Sequence, residues 1–157
     1  MKLKKYLYET AKYVLRSYPV IYPYIKEVEK LYAMSPEELN QRNEKRFLEI
    51  FHRAYDKSPF YRKLYTEAGI RKEDITSLTD IKKLPVVTKD MVKQHANEML
   101  TVPKRKVRKG NTSGTTGTPL SVYSDWKSIW MVQAYLYCTR KRYGFTYGQR
   151  FVSLRGH

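Results

Sequence analysis

Between Thr112 and Leu120 the chain reads Thr-Ser-Gly-Thr-Thr-Gly-Thr-Pro-Leu, so hydroxyl side chains and glycine fill most of the segment. Hydroxyls donate hydrogen bonds, and backbone N–H groups of a segment with small side chains can converge on one anion. Gly114 and Gly117 allow a close backbone approach that a side chain would block. The chemistry that suits this composition is the gripping of phosphate, with Ser113, Thr115, Thr116 and Thr118 as hydroxyl donors around the two glycines. It is not a Walker A element, which ends Gly-Lys-Ser/Thr, because Gly117 is followed by Thr118 and Pro119. Nor is it a dinucleotide fingerprint. On spacing alone a plain turn stays open as the alternative.

Other reactive side chains are scattered. Cys138 is the sole cysteine, so no internal disulfide or zinc cluster is expected, and its apolar, aromatic setting reads as an inert buried thiol. His52 and His95 fall on separate helical segments without Cys, Asp or Glu at ligand spacing, so packed or solvent-facing histidines are expected and no metal site. The run from Lys104 to Lys109 places five cations just before the hydroxyl-rich segment. Such a run reads as a solvated face, as a nucleic-acid patch, or as a source of positive potential beside a phosphate site.

The elements that must hold this segment are mainly helical by pattern. Leu3, Leu7, Val14 and Tyr18 repeat at helical spacing, and Pro19 and Pro23 are expected to break that helix, leaving residues 20–25 as an aromatic connector. This lysine-flanked region could lie on an anionic bilayer or dock on its own protein. Ser35-Pro36-Glu37-Glu38 predicts a capped helix start, with Leu39, Phe47, Ile50, Phe51 and Ala54 as its apolar side. Ser58-Pro59 repeats the device for a shorter helix through Phe60 and Leu64, stopped by Gly69. Ser77 with Asp80 predicts a single capped turn, and Thr88 a short helix through Met91, Val92 and His95.

After the segment, Ser124 is expected to cap a helix from Asp125, apolar around so much of its circumference that burial among several elements follows. Phe151-Val152-Ser153-Leu154 reads as a short strand. Strong helices with one late strand predict an α/β fold, mostly helical over this chain and cut inside its sheet. The expected organisation is an amphipathic helix and connector over residues 1–34, then an incomplete domain over 35–157 carrying the loop at 112–120. Marginal stability or aggregation is the corollary, because a severed sheet edge lacks its partner.

Composition bounds the function loosely. The 157 residues are 41% hydrophobic, carry 15 tyrosines and have a formal charge of +16 from 31 Lys and Arg against 15 acids. That excess suits nucleic acid, anionic membrane or a polyanionic ligand, and selects none of them. No run is apolar enough to predict a transmembrane span, and Lys2, Lys4 and Lys5 precede no signal-peptide core.

The string Ser113-Gly114-Thr115-Thr116-Gly117-Thr118-Pro119-Leu120 resembles the phosphate-binding loop of the adenylate-forming (AMP-binding) superfamily. The likeness is closer to its phenylacetate–coenzyme A ligase-like branch, which includes proteins of capsular polysaccharide biosynthesis. It extends to Phe51-His52-Arg53-Ala54-Tyr55, Ser58-Pro59-Phe60-Tyr61-Arg62, Glu67-Ala68-Gly69-Ile70, Leu84-Pro85-Val86-Val87-Thr88-Lys89-Asp90 and Arg155-Gly156-His157, within residues 40–157.

The resemblance implies an ATP-dependent, AMP-forming ligase that activates a carboxylic acid with magnesium and can pass the acyl group to coenzyme A. It also implies that Arg155 and His157 sit near an acyl pocket, and it assigns no catalytic residue within this chain. Thr118 stands where the family commonly has lysine. The adenine and ribose motifs, the hinge and the adenylation lysine of such enzymes are expected beyond His157, so this chain is expected to be an N-terminal fragment that does not turn over alone. A capsular or envelope polysaccharide role on the same scaffold is the first alternative. A basic nucleic-acid-binding module is the second, disfavoured because most tyrosines fall at helical spacings suited to packing. The expected location is cytoplasmic, with peripheral contact to an anionic membrane as the variant.

Overall fold

The structure is a computed structural model that describes residues 3–4, 7–8, 18–112 and 120–146. Its chain divides into two compact units, one from Ser35 to Ser124 and the other from the two ends, up to Met34 and from Asp125.

In the Ser35–Ser124 unit, local capping chemistry sets the elements. Helix α2 (Pro36–Lys57) starts where Ser35 Oγ accepts the Glu38 N–H at 3.2 Å and Glu38 Oε2 accepts the Ser35 N–H at 2.7 Å. Proline at the first helical position costs nothing there, since its missing N–H would have no intrahelical partner. Ser58 ends α2 and caps α3 (Pro59–Glu67), its Oγ accepting the Tyr61 N–H at 3.3 Å. Gly69, at φ +71°, turns the chain away in a left-handed conformation that β-carbon sterics disfavour.

The turn delivers Ile70 and Ile75 onto a core with Phe51 and Tyr65. The Tyr65 ring lies 5.3 Å from that of Phe51, 5.8 Å from Tyr61 and 6.3 Å from Tyr55. Burying a side chain like Phe51 stabilises by about 2–3 kcal/mol. Ile50, expected on the same apolar side, is 55% exposed. One residue from Phe51 it is turned by about 100° around the helix, off the stripe that Phe47, Phe51 and Ala54 form.

A 3₁₀ turn (Leu78–Lys83), α4 (Lys89–His95, capped by Thr88) and a second 3₁₀ turn (Lys104–Lys106) lead into β1 (Val107–Asn111). β1 pairs with β2 (Ser121–Asp125) in a two-stranded sheet. The described chain is thus mostly helical with one small sheet. The expected strand at 151–154 lies outside the described residues.

In the other unit, α1 (Tyr18–Ala33) packs on α5 (Trp126–Lys141). The expected break at Pro19 and Pro23 does not occur, and no connector interrupts residues 20–25. Pro19 stands in the first turn of the helix, and Pro23 lies within it at the loss of one backbone hydrogen bond. Packing outweighs that loss, because Ile21, Ile25 and Val28 are buried on one stripe against Ala134 and Cys138. Asp125, not Ser124, caps α5, its Oδ1 accepting the Ser128 N–H at 2.7 Å. Nor is α5 covered all round. Ala134 and Cys138 are buried, whereas Val132, Tyr135 and Leu136 are exposed. Among the described residues no helix is long and apolar enough to cross a membrane.

Candidate functional site

Sequence reading missed the β1–β2 hairpin, which sits on both sides of the hydroxyl-rich segment. The Thr112 N–H donates to the Leu120 carbonyl at 3.0 Å, and the Leu120 N–H donates to Thr112 Oγ1, also at 3.0 Å. One step down, Ser121 Oγ donates to Asn111 Oδ1 at 3.1 Å. A further step down, a β-carbon built on Gly110 would meet the Val122 side chain at 3.8 Å. Successive pairs 112/120, 111/121 and 110/122 run in opposite directions, so the register is antiparallel. Residues 113–119 therefore spring from a neck closed by backbone and side-chain hydrogen bonds. Ser113, Gly114, Thr115, Thr116, Gly117 and Thr118 lie outside the described residues, as do Arg155 and His157.

The neck is anchored below. Tyr123 donates its hydroxyl to Asn97 Oδ1 at 3.0 Å, while Lys104 Nζ lies 6.0 Å from the centre of the Tyr123 ring. Asn97 belongs to the turn after α4, whose Glu98 carbonyl accepts from Ser58 Oγ at 2.9 Å and from the Phe60 N–H at 3.3 Å. The hairpin is thereby tied to the start of α3. No Asp or Glu occurs between Glu98 and Asp125, while Lys104, Arg105, Lys106, Arg108 and Lys109 do. The cations of this stretch have no acidic residue on the hairpin itself except Asp125 at the end of β2. Short β-branched and aromatic stretches flanking a Gly/Thr/Pro segment were the available signal for the hairpin, hidden by the charge run that covers Val107.

The remaining reactive groups are structural. His52 is half-buried, its ring 5.7 Å from that of Phe51. His95 Nδ1 lies 3.0 Å from Glu98 Oε1, and its ring is 5.3 Å from Phe60. Cys138 is buried between α1 and α5, and burial pushes its thiol pKa up, away from nucleophilic use. An apolar cleft of about 280 Å³, lined by Phe47, Phe51, Tyr61, Tyr65 and Leu84, belongs to the α2–α3 core and not to the hairpin. Among the described residues no group of three His, Cys, Asp or Glu side chains could hold a metal. The magnesium implied by resemblance thus finds no protein ligand cage among them.

No protein-family model matches the chain. It is similar to the phenylacetate-coenzyme A ligase of Aromatoleum evansii, 33% identical over 113 residues, which are 71% of this chain and 26% of that protein. Protein CapK of Staphylococcus aureus is 26% identical over 133 residues, 85% of this chain and 29% of CapK. The phenylacetate-coenzyme A ligase of Pseudomonas putida is 36% identical over 90 residues, 56% of this chain and 20% of the relative. The chain spans about a quarter of the length of the curated relatives it matches.

Proposed function

We propose, because this chain belongs to the phenylacetate–coenzyme A ligase-like, adenylate-forming family, that it carries the phosphate-gripping part of a carboxylate-activating ligase. In the proposed reaction a carboxylate oxygen attacks the α-phosphorus of ATP. The bond to the bridging oxygen breaks, and an acyl adenylate and pyrophosphate result. The coenzyme A thiol then attacks the acyl carbon and displaces AMP.

The chain's own share is electrostatic. Hydroxyls of Ser113, Thr115, Thr116 and Thr118, with backbone N–H groups made accessible by Gly114 and Gly117, hold the phosphoryl oxygens as charge moves onto the departing pyrophosphate. Arg155 and His157 take the acyl side. Adenine, ribose and adenylation-lysine contacts are assigned to parts of such an enzyme beyond these residues, so the isolated chain binds without turning over.

The observation that carries this reading is the hydroxyl- and glycine-rich segment itself, springing from a neck that Thr112 and Leu120 close. A small loop fixed at its base loses less conformational entropy when it wraps an anion. Calorimetric titration with pyrophosphate and ATP tests it. Binding lost in a Thr115→Ala/Thr116→Ala variant is expected, and a wild-type chain without affinity for either ligand overturns the reading.

The CapK match favours a second reading, since it covers a larger share of this chain than the ligase matches do. Here the same adenylation scaffold serves capsular or envelope polysaccharide assembly at the cytoplasmic face of the membrane, with an acceptor other than coenzyme A. Deleting the gene decides between them. Loss of surface polysaccharide with aromatic-acid use intact supports the second, and the reverse supports the first.

A further inference from the structure

The hairpin below the loop carries charge that the loop chemistry alone does not use. Cross-strand pairing of Ser121 with Asn111 puts both side chains on one face of the sheet. Side chains alternate along a strand, so Lys109 shares the face of Asn111, and Tyr123 shares that of Ser121. The register then sets Lys109 directly opposite Tyr123. Lys104 reaches the same place from the preceding turn, its ammonium 6.0 Å from the Tyr123 ring centre, while the Tyr123 hydroxyl is held by Asn97. Two ammonium groups thus flank one tyrosine on the face that leads up to Asn111, Ser121 and the neck.

These two lysines are not engaged in ion pairs. Lys104 and Lys109 are exposed, appear in no salt bridge among the described residues, and lie in a stretch free of acids from Met99 to Ser124. The lysines of the Ser35–Ser124 helices behave differently. Lys63, Lys72, Lys83 and Lys93 each have a carboxylate within 4 Å, as Glu67, Asp56, Asp80 and Asp90 respectively. Like charges held together on one sheet face repel, and an anionic ligand relieves that repulsion.

We infer that Lys104 and Lys109 form a second phosphate contact on the hairpin face, which takes the distal phosphates of a nucleoside triphosphate or free pyrophosphate at the base of the loop. The inference rests on the reading of residues 113–119 as a phosphate loop and adds two residues to its site. Thr118 supplies no charge where relatives commonly have lysine, and the hairpin lysines restore positive potential from outside the loop. Lys109 lies three residues below Thr112, about 10 Å along the strand, within roughly one Debye length at moderate salt. The site is therefore predicted to be salt-sensitive.

The test titrates the chain with pyrophosphate at low and moderate ionic strength. Three variants accompany the wild type: Lys104→Gln/Lys109→Gln, the loop variant Thr115→Ala/Thr116→Ala, and Lys45→Gln/Lys82→Gln as a charge-matched control. Thermal unfolding of each verifies folding. The hairpin variant is expected to bind about fivefold more weakly at low salt, with a shallower salt dependence, because two cations near a polyanion act through a screened Coulomb attraction. The loop variant loses affinity at both salts, and the control binds as wild type.

Unchanged affinity in the hairpin variant, with the loop variant impaired, overturns this inference and leaves the loop reading standing. Loss in the hairpin variant with the loop variant unaffected sinks the loop reading and keeps the lysines as an independent polyphosphate contact. Equal losses in the hairpin variant and the control reduce the effect to net charge and overturn the inference. So does a hairpin variant that loses affinity for duplex DNA while holding pyrophosphate as tightly as before.

Discussion

Thr112 does two things with one side chain, and its substitution separates them. Its β-branched body suits an extended backbone, while its Oγ1 accepts the Leu120 N–H and closes the neck. Thr112→Val keeps the shape and removes the acceptor. Exposed as it is, the bond is worth about 1 kcal/mol or less to folding, so the unfolding midpoint should barely move. The effect belongs to the loop. Pyrophosphate affinity is expected to fall several-fold in Thr112→Val and to stay at wild-type level in Thr112→Ser. Equal affinity for all three proteins would mean the neck does not shape the loop.

Asp80 makes a prediction of another kind at the same scale. Lys83, at 2.8 Å, together with the N–H groups of Thr76 and Ser77, holds its carboxyl well below the ordinary aspartate range. The unfolded chain takes up that proton near the ordinary value of about 3.9, while the folded chain does not. Asp80 therefore stabilises the fold fully above that value, and the contribution drains away as pH falls towards the folded pKa. Asp80→Asn should flatten the stability–pH profile on its acid side and leave the slope above neutrality unchanged, as read by urea unfolding across pH.

Ser35 and Ser58 are both serine caps followed by proline, and only their surroundings differ. Ser35 exchanges hydrogen bonds with Glu38 on an exposed helix start. Ser58 has no exposed surface, and besides capping α3 it donates to the Glu98 carbonyl from forty residues away. Ser35→Ala is expected to cost about 1 kcal/mol. Ser58→Ala is expected to cost about 2 kcal/mol or more, because a buried N–H loses its partner together with the tie to the α4 turn. Equilibrium denaturation in urea measures both, and equal costs would contradict the second role.

The same comparison explains what the sequence disclosed. Caps at Ser35, Ser58 and Thr88 rest on neighbours three residues away, so residue types alone announce them. The Ser58–Glu98 tie, the continuation of α1 through Pro23 and the β1–β2 pairing depend on partners distant in sequence. Pro23 is tolerated because Ile21, Ile25 and Val28 find α5. Val107 was hidden in a charge run because its partner strand lies beyond the loop. At the candidate site the residue types were readable, and the neck that fixes their base was not.

For the whole molecule, two surface properties oppose each other. A formal charge of +16 keeps copies apart. Against it stands an exposed apolar stripe on α5, where Val132 is 55% and Leu136 41% exposed, beside Tyr135. Residues 132, 135 and 136 share one helix face, and the apolar area they expose together favours association with other copies once repulsion is weakened. Salt weakens it, since the Debye length shrinks from about 30 Å at 0.01 M to about 3 Å at 1 M. The chain should therefore sediment as a monomer at low ionic strength and self-associate as salt rises, opposite to the trend for a complex held by charge. Val132→Lys/Leu136→Lys is expected to abolish the salt-induced species without lowering the thermal midpoint, because neither side chain is part of the α1–α5 core. If the wild-type chain stays monomeric through high salt, exposed α5 surface is not what limits its solubility. If the double variant still associates, the contact lies elsewhere on the molecule.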